Sequence, residues 1–555
     1  MRLRWIATFA LCGALAGCRS REAPAPVASA APAEVPVPAT LLAELSVGNP
    51  KETWQRARLL GGDLAQALPS SLPVLLTTSL SMPPSAAGSL DETLPMVGAL
   101  LAGKDKAQPD AVLGMHVTSG AELVASLTLG EAAKFRRVEL APGLVRLLPA
   151  PGAPEFNGAL GVSGNYLLLA TRVDALAEAG RFVSESVTRR ARKEPGLALR
   201  TNEKVLSGSL SRTLRDAWAS RRAALAARDR AQRQAMGRPP DFADPEVLLH
   251  GIDNIVESWL GVLESSRELS VNLLLLDDRL VLELTLLPGA EGAAPLLYKE
   301  LSTGPLAPLL ALPESTSLAL LLRGDERPSA DAAQNAGASL VKLFGDRLAP
   351  QQASKLLKAF EALNRSRRGA TVVGLIGAPA PAVVATCELA DAEAFPGAVA
   401  DVLRLLELGP VSSWLGATIG KPTLELGRVA GIAHRARLRF QRSGQRVPAA
   451  LPHELHLSWE ARDGVGYLVV TPDAKLGLSS FAAEARLSSS GWMTQSQARL
   501  GERALGFFAD TRLMRPGAAE PAPLLLTFGK QAERIVVSVD AAAPSALHAL
   551  AAFLR

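Results

Sequence analysis

Cys18 is the residue whose chemistry the sequence indicates most clearly. It ends the motif Leu15-Ala16-Gly17-Cys18, which closes an apolar segment that begins at Ile6. Arg2 and Arg4 precede that segment and small residues end it, which is the order of a cleaved secretory signal. A membrane-spanning helix needs roughly 20 apolar residues, whereas polar residues follow Cys18 directly. The sequence therefore predicts a signal peptide over residues 1–17 and a mature chain that begins with the thiol of Cys18.

This motif resembles the lipobox of bacterial lipoproteins. The resemblance implies cleavage between Gly17 and Cys18, a diacylglycerol thioether on Cys18, and a further acyl chain on its amino group. Two or more acyl chains hold a protein stably at a bilayer, whereas one chain does so only marginally. In the same family, Asp after the modified cysteine is the familiar signal for retention in the inner membrane. Arg19 stands there in this chain, so the resemblance implies a protein of the cell envelope anchored in the outer membrane.

Cys387 is the only other cysteine outside the predicted signal, and it lies in the apolar, partly alternating segment 381–390. A catalytic thiol needs a histidine nearby in space, and no family signature surrounds this cysteine. We therefore expect Cys387 to be a small buried side chain on a strand. With Cys18 carrying lipid, the mature chain is predicted to contain no internal disulfide.

Two motifs of serine and phosphate chemistry are incomplete. Residues 98–104 have the glycine and lysine spacing of a phosphate-binding loop, but Asp105 replaces the hydroxyl residue that would hold magnesium. Ser339 and Lys342 have the spacing of a penicillin-binding enzyme, but no Lys-Thr-Gly motif follows them. We interpret both as chance matches.

His453 and His456 are the only closely spaced histidines. A zinc protease places its pair four residues apart on a helix, so that both imidazoles reach one ion. Here the spacing is three, and the following residues alternate like a strand, which would turn the two rings to opposite faces. No catalytic residues, metal ligands or cofactor-binding residues are predicted, and the chain is expected to be non-enzymatic.

The composition excludes one class of partner. The formal charge of the 555-residue chain is only +5, and no dense basic run with interleaved aromatic residues occurs. Nucleic acid is therefore not an expected partner. The 538 residues that follow the predicted signal are enough for several domains with sizeable cores.

The segment that precedes the folded body is a predicted tether. Residues 18–40 are rich in Pro, Ala and small polar residues and show no periodic apolar face. A Pro-rich chain extends by up to about 3.1 Å per residue, so such a tether would hold the body some tens of ångströms from the lipid.

The body itself is predicted to be α+β, with a mainly antiparallel sheet and packed helices. Its clearest hairpin covers 269–287, where two β-rich runs flank Asp277-Asp278. Two more hairpins are expected, at 111–129 with a turn at Ser119-Gly120, and at 371–389 with a turn through 378–381.

Three pairs of segments suggest a weak internal duplication. The two members of each pair are predicted to have the same strands and helices in the same order. The pairs are 71–80 with 311–322, 122–135 with 382–395, and 164–182 with 465–481. The predicted units are therefore 41–288 and 289–555. In this respect the body resembles uncharacterised envelope proteins with duplicated α+β units.

A long basic segment is the candidate interaction site. Residues 210–242 favour a helix by their Ala, Leu and Arg content, and Gly237 and Pro239-Pro240 end it. One interpretation is a surface for a protein partner or for anionic lipid. The other is one arm of a helical hairpin over 210–266, with 330–368 as its counterpart in the second unit. The candidate interaction residues are Arg215, Trp218, Arg221 and Arg222.

These observations leave three classes of function open. The first is a lipid-anchored envelope protein that binds or assembles with another envelope component. The second is a carrier of an apolar ligand, which requires a large continuous apolar cavity. The third is a hydrolase with an unrecognised site. The sequence does not indicate an oligomeric state.

Overall fold

The computed structural model describes most of the chain from residue 35 to residue 542. The described ranges are 35–60, 69–103, 109–129, 133–151, 158–236, 245–324, 341, 348–377, 381–418, 420–428, 434–441, 452–482, 485–510 and 523–542. The described residues from 37 to 542 belong to one compact unit. The predicted signal, Cys18 and nearly all of the predicted tether lie outside the described residues.

Twenty strands make up the sheet. Ten belong to the first half of the chain: β1 (Leu41–Gly48), β2 (Met96–Leu101), β3 (Asp110–His116), β4 (Phe135–Ala141), β5 (Leu144–Pro149), β6 (Ala159–Ser163), β7 (Tyr166–Ala170), β8 (Gly196–Asn202), β9 (Ser266–Leu275) and β10 (Arg279–Pro288). Ten belong to the second half: β11 (Thr316–Arg323), β12 (Arg367–Ile376), β13 (Ala382–Leu389), β14 (Lys421–Arg428), β15 (His434–Gln441), β16 (Glu454–Arg462), β17 (Val465–Thr471), β18 (Arg503–Asp510), β19 (Pro523–Gln531) and β20 (Arg534–Ala542).

Thirteen described α-helices of four residues or more accompany these strands. They are α1 (Pro50–Leu60), α2 (Leu72–Ser79), α3 (Gly120–Thr128), α4 (Val173–Arg181), α5 (Ser211–Met236), α6 (Pro245–Glu264), α7 (Ala293–Glu300), α8 (Ala307–Leu310), α9 (Pro350–Ser366), α10 (Phe395–Arg404), α11 (Gly409–Thr418), α12 (Leu478–Ala482) and α13 (Gly491–Leu500). The predicted α+β class is confirmed.

The strands form one hydrogen-bonded sheet, and every pair in it is antiparallel. Following the pairings from one edge to the other, the order is β4-β5-β6-β7-β3-β2-β1-β8-β9-β10-β20-β19-β18-β11-β12-β13-β17-β16-β15-β14. Each strand of the first half corresponds in this order to the strand numbered ten higher in the second half. The two halves meet where β10 pairs with β20, from Arg279 opposite Ala542 to Leu286 opposite Ile535.

The repeated strand order is a property of the topology, while the duplication of the chain stays a prediction. One of the three segment pairs matches equivalent elements: 164–182 contains β7 and α4, and 465–481 contains β17 and most of α12. β10 ends at Pro288, where the first predicted unit ends, and β11 begins the strands of the second. Because β10 and β20 continue one sheet, the division into two units also stays a prediction.

In the other two segment pairs the first-half members were wrong, because helix starts were interpreted as strands. Their second-half members have the predicted elements: 311–322 contains most of β11, and 382–395 contains β13 and the start of α10. Residues 71–80 contain α2, which has Ser71 at its N-cap position and Pro73 in its first turn. Proline fits the first turn of a helix, where its missing N–H costs nothing. Residues 122–135 contain most of α3, not a strand followed by a helix.

The expected hairpin at 111–129 was wrong for the same reason. Ser119 Oγ accepts a hydrogen bond from the backbone N–H of Glu122 at 3.3 Å, so Ser119 is the N-cap of α3. A serine followed three residues later by glutamate is the sequence signature of a helix start. β3 pairs with β2 and β7 instead of returning on itself.

The remaining hairpins are confirmed. β9 pairs with β10 from Leu275 opposite Leu280 onward, around Asp277-Asp278. β12 pairs with β13, although most of the predicted turn lies outside the described residues. The predicted helical hairpin is also present, as α5 and α6, and α9 covers the last part of the stretch 330–368.

Alternation along the central strands gives the sheet two unlike faces. On one face, Leu269, Leu286 and Ile535 are buried with Val262 of α6 and Ala294 of α7. The other face of the same strands carries polar side chains, which are described below. Further cores lie under α3 in the first half and under α8, α10, α12 and α13 in the second.

Candidate functional site

A row of polar residues crosses the centre of the sheet. Asn272 of β9 lies directly opposite Glu283 of β10, and Glu283 lies opposite Ser538 of β20. Directly opposed residues point to the same face and stand about 5 Å apart between Cβ atoms. Ser538 is in turn opposite Thr527 of β19. The antiparallel register therefore places an amide, a carboxylate and two hydroxyls side by side.

A second polar row runs beside the first on the same face. Glu44 of β1 is opposite Arg200 of β8, Arg200 is opposite Ser270 of β9, and Ser270 is opposite Thr285 of β10. These strands largely alternate polar with apolar residues, so most of their apolar side chains enter the opposite face, and Ala198 and Val536 are the apolar members of the two rows. The two rows together make a polar floor.

This floor belongs to a cleft of about 490 Å³. One wall is formed by Arg190, at the end of a short helical turn over Thr188–Arg190, and by the adjacent Arg192. The other wall is formed by Gln531, Ala532 and Arg534, at the turn between β19 and β20. The volume falls in the range of small-molecule sites, which is roughly 300–1,000 Å³.

Three arginines and two glutamates form ion pairs along the cleft. Arg190 lies 2.7 Å from Glu44, and Glu268 is held by both Arg200 at 3.1 Å and Arg534 at 2.9 Å, measured between nitrogen and oxygen. Arg200 comes from β8 in the floor and Arg534 from β20 in the wall, so Glu268 connects the floor of the first half to the wall of the second. These pairs fix the guanidinium groups in place around the floor.

The two paired carboxylates respond in opposite directions to this environment. Burial raises the pKa of Glu44 above its ordinary value, and the charges of Arg190 and Arg200 only partly oppose it. Burial also acts to raise the pKa of Glu268, but the hydrogen bond from Arg534 and the charge of Arg200 outweigh it, so this pKa is lowered. Both effects are physical consequences of a partly dry, charged cleft.

The floor contains one polar atom that the fold leaves unpaired. Asn272 is only 2% exposed, and its Nδ2 has no hydrogen-bond partner among the described residues. Asn272 also lines the cleft. Most buried polar side-chain atoms in proteins are hydrogen-bonded. Leaving one without a partner lowers the free energy of unfolding by about 1–3 kcal/mol. Its opposite neighbour Glu283 makes no ion pair within the described part of the chain.

Arg503, a buried cation in the second half of the chain, interacts electrostatically with Glu283. Arg503, at the start of β18, is 1% exposed, and its Nε donates to Thr527 Oγ1 at 3.2 Å. Burial lowers the pKa of Arg503, and the charge of Glu283 opposes that shift. The polar row thus continues from Asn272 to Arg503 over five strands, β9, β10, β20, β19 and β18.

The candidate interaction residues of the basic helix have a different arrangement. Arg215 lies 3.4 Å from Glu257 and 3.2 Å from Glu264 of α6. Trp218 Nε1 donates to Asp253 Oδ1 at 2.9 Å, and Arg222 lies 2.9 Å from the same carboxylate. The structure therefore brings three of the four residues together inside the α5–α6 hairpin.

Arg221 lies apart from those three contacts and is exposed. The acidic residues Asp253, Glu257 and Glu264 of α6 pair with Arg215 and Arg222 of α5, so the charges of these two arginines are used within the hairpin. Cys18, the predicted lipid attachment site, lies outside the described residues.

Cys387 is buried on β13, as expected. Burial raises the pKa of its thiol to about 11, although the charge of Arg367 opposes the shift. His453 precedes β16 and His456 lies within it. In the described ranges, no group of three or more His, Cys, Asp and Glu side chains could hold a metal ion.

A second, more apolar cleft of about 390 Å³ lies in the second half. Its apolar lining comes from the sheet, with Val384 and Val469, and from the covering segments, with Leu312, Leu478 and Phe481. Charged residues, Glu388, Glu460 and Arg462, also line it.

None of the described helices is both long and apolar enough to cross a membrane.

The polar cleft was not among the sites predicted from the sequence, although part of its signal was present. In β9, Glu268, Ser270 and Asn272 alternate with apolar residues, and Glu283 and Thr285 do the same in β10. Such alternation within a predicted hairpin indicates one polar face. The contributions of Arg190, Arg200 and Arg534 depend on strand pairings between distant segments, which carry no local signal.

Comparisons with known proteins give little further information. No protein-family model matches the chain, and no curated protein matches it. A solved structure titled "Structure of crystal form I of TP0453" is similar over 47% of this chain and 80% of that chain, with 9% sequence identity and a TM-score of 0.22. A likeness at this TM-score carries no argument about fold or function, and no family is assigned.

Proposed function

We propose that this chain is a non-enzymatic, lipid-anchored envelope protein whose folded body binds a small polar ligand in the cleft at the centre of the sheet. The anchor is the lipid on Cys18, which the motif Leu15-Ala16-Gly17-Cys18 predicts. The predicted tether then connects the anchor to β1, which begins at Leu41. As a binding component, the protein would present its ligand, or the ligand-filled cleft, to another part of the envelope.

The observation that carries the binding proposal is the unpaired amide of Asn272. Its Nδ2 is buried and lacks a partner, yet it lines a cleft of ligand size. An acceptor on a bound ligand would supply the missing hydrogen bond and remove a penalty of about 1–3 kcal/mol. The fixed guanidinium groups around the floor reduce the ordering that binding would require.

The residues around the cleft favour binding over bond cleavage. Glu44 and Glu268 are both held by arginines, at 2.7 Å and at 2.9–3.1 Å. An arginine that pairs with a carboxylate orients a polar ligand and stabilises its charge, but it takes no proton from the ligand, because a guanidinium stays protonated throughout the physiological pH range.

Ligand-observed NMR on a soluble chain without residues 1–18 would test this proposal. A panel of small polar molecules would be screened, and each hit would be measured again with Asn272→Ala. The matched control is Asn254→Ala, because Asn254 is exposed on α6, away from the cleft. We expect binding to be lost in the first variant and kept in the second. Hits that bind both variants equally would contradict the proposal.

The apolar cleft supports a second candidate function, a carrier of an apolar ligand. Its lining by Leu312, Val384, Val469 and Phe481 is what an acyl chain would contact. Native mass spectrometry of the protein extracted from membranes would detect a retained lipid besides the covalent anchor. A spectrum that shows only the anchored protein would count against this candidate.

A further inference from the structure

The groups that line the central cleft also indicate the chemical class of its ligand. Resting on the proposed binding function, we infer that the cleft takes a short acidic oligosaccharide, with sugar hydroxyls on the floor and a carboxylate at the arginine walls.

The floor matches a pair of neighbouring hydroxyls. The amide of Asn272 can donate, and the carboxylate of its opposite neighbour Glu283 can only accept. A hydroxyl both donates and accepts, so two adjacent ring hydroxyls satisfy this pair at once. Ser46, Ser270 and Thr285 line the same cleft and extend the set of groups that exchange hydrogen bonds with a sugar.

The charge behind the floor favours a hydroxyl over an ammonium group at Glu283. Arg503 is buried in the same polar row, and the charge of Glu283 acts on it directly. The negative charge of Glu283 is therefore already opposed by a cation of the protein. A neutral donor meets this carboxylate without adding a second buried positive charge.

The walls favour an anionic group on the same ligand. Four arginines line the cleft, Arg190, Arg192, Arg200 and Arg534, whereas the lining carboxylates are Glu44 and Glu283. Each guanidinium carries five N–H donors, so a single carboxylate contact leaves donors for a ligand. Even with Glu268 included and Arg503 left out, the positive charges are in excess by one, so an anionic group on the ligand is favoured.

The volume sets the size of the ligand. About 490 Å³ is more than a monosaccharide fills and suits a sugar of two or three units that remains partly open to solvent. The floor then holds one ring, and the carboxylate of that ring or of the next reaches the arginines.

The test uses digalacturonate, its dimethyl ester and L-glutamate as probes, with ligand-observed NMR on the chain without residues 1–18. We expect digalacturonate to bind, and the ester, which lacks the charges, to bind about tenfold more weakly. Glu283→Gln keeps the shape of the side chain but makes the carboxylate neutral. This variant is expected to weaken digalacturonate binding about tenfold, and so is Asn272→Ala.

The matched controls are Asn254→Ala and Glu393→Gln, both at exposed positions. We expect them to bind digalacturonate as the unmodified chain does, and thermal melting verifies that every variant is folded. If Asn272→Ala fails to fold, Glu283→Gln alone decides the test.

Three results would overturn the inference: equal binding of the acid and its ester, binding unchanged by Glu283→Gln, or no binding of digalacturonate at about 10 mM. Asn272-dependent binding of L-glutamate without binding of digalacturonate would overturn the ligand class but support the proposed function. The absence of Asn272-dependent binding by all three probes would count against both.

Discussion

Arg279 Nη1 lies 3.8 Å from Asp540 Oδ2, and both side chains are almost completely buried. Arg279 begins β10 and Asp540 belongs to β20, so this contact joins the two halves of the sheet where they pair. Asp540 also accepts hydrogen bonds from Ser496 at 2.7 Å and Arg499 at 2.8 Å. The junction between the halves is therefore an ionic network as well as a pair of strands.

Removal of the Asp540 carboxylate is expected to destabilise the protein strongly. In Asp540→Ala, Ser496 and Arg499 lose their acceptor in β20, whereas the buried Arg279 keeps its ion pair with Asp278 at 3.0 Å. Each buried donor left unsatisfied costs about 1–3 kcal/mol. The control is Asp401→Ala, because Asp401 pairs with Arg404 on an exposed helix surface, where such pairs contribute about 0–1 kcal/mol. Urea unfolding monitors both variants. Equal midpoints for the two would contradict the role given to the network.

Gly529 is expected to tolerate no side chain. A Cβ at this position of β19 would lie 2.9 Å from both Cα and Cδ of Arg503. Gly529→Ala should therefore lower the free energy of unfolding by about 1–3 kcal/mol through overpacking. Gly427→Ala in β14 serves as the control, since no described atom lies within 4 Å of its added Cβ. A thermal melt of Gly529→Ala that matches the control would refute this packing.

Cys387 is expected to be unreactive at neutral pH. In a chain without residues 1–18 it is the only cysteine, and burial raises the pKa of its thiol from 9.0 to about 11. Iodoacetamide should label the unfolded chain readily and the folded chain hardly at all at pH 8, because the thiolate is the nucleophile. Rapid labelling of the folded chain would contradict the burial of this residue.

The same pKa shift predicts how stability depends on pH. Because the folded-state pKa of Cys387 is raised, its contribution to stability is complete below pH 9.0 and is lost as pH rises toward about 11. Cys387→Ala should remove this dependence. Urea midpoints measured between pH 8 and pH 11 would test the sign, and a midpoint difference between the two chains that stays constant over that range would oppose it.

The helical hairpin allows a prediction that separates Arg222 from its neighbour Arg221. Arg222→Glu would place a carboxylate against Asp253 and should speed amide exchange in α5 and α6, whereas Arg221→Glu should not, since Arg221 is exposed. Hydrogen exchange followed by mass spectrometry compares them. Identical exchange in both variants would be inconsistent with the hairpin contacts described above.

Lipidation is tested by Cys18→Ser. This variant is expected to lose lipid labelling and membrane retention, because position 18 would no longer carry the thiol that takes the diacylglycerol group. Membrane fractions and labelled fatty acid give the readout. Retention of the variant in the membrane would contradict the predicted anchor.

The sequence predicted the local parts of the fold better than the long-range ones. The β9–β10 hairpin was predictable because two β-rich runs flank Asp277-Asp278. The helix that begins after Ser119 was also predictable, since Glu122 completes the start signal, but the turn-forming pair Ser119-Gly120 was given more weight. The segment thus contains both a turn signal and a helix-start signal, and the structure follows the helix-start signal.

The candidate site could be predicted only in part. The alternation of Glu268, Ser270 and Asn272 indicates a polar face, but nothing local shows what lies opposite it. The pairing of β10 with β20 joins Glu283 to Ser538 across about 250 residues, and antiparallel pairing over such a distance depends on the whole sheet. That the Asn272 amide lacks a partner can be recognised only from the strand register and from the burial of Asn272 in the folded structure.

The central claim is that the cleft between the two arginine walls holds a polar ligand, and native mass spectrometry tests it most directly. The lipidated protein would be extracted gently from membranes and compared with Asn272→Ala and Asn254→Ala. A stoichiometric small polar molecule should remain bound to the unmodified chain and to Asn254→Ala, and should be absent from Asn272→Ala. The same bound mass in all three, or none in any of them, would contradict the account.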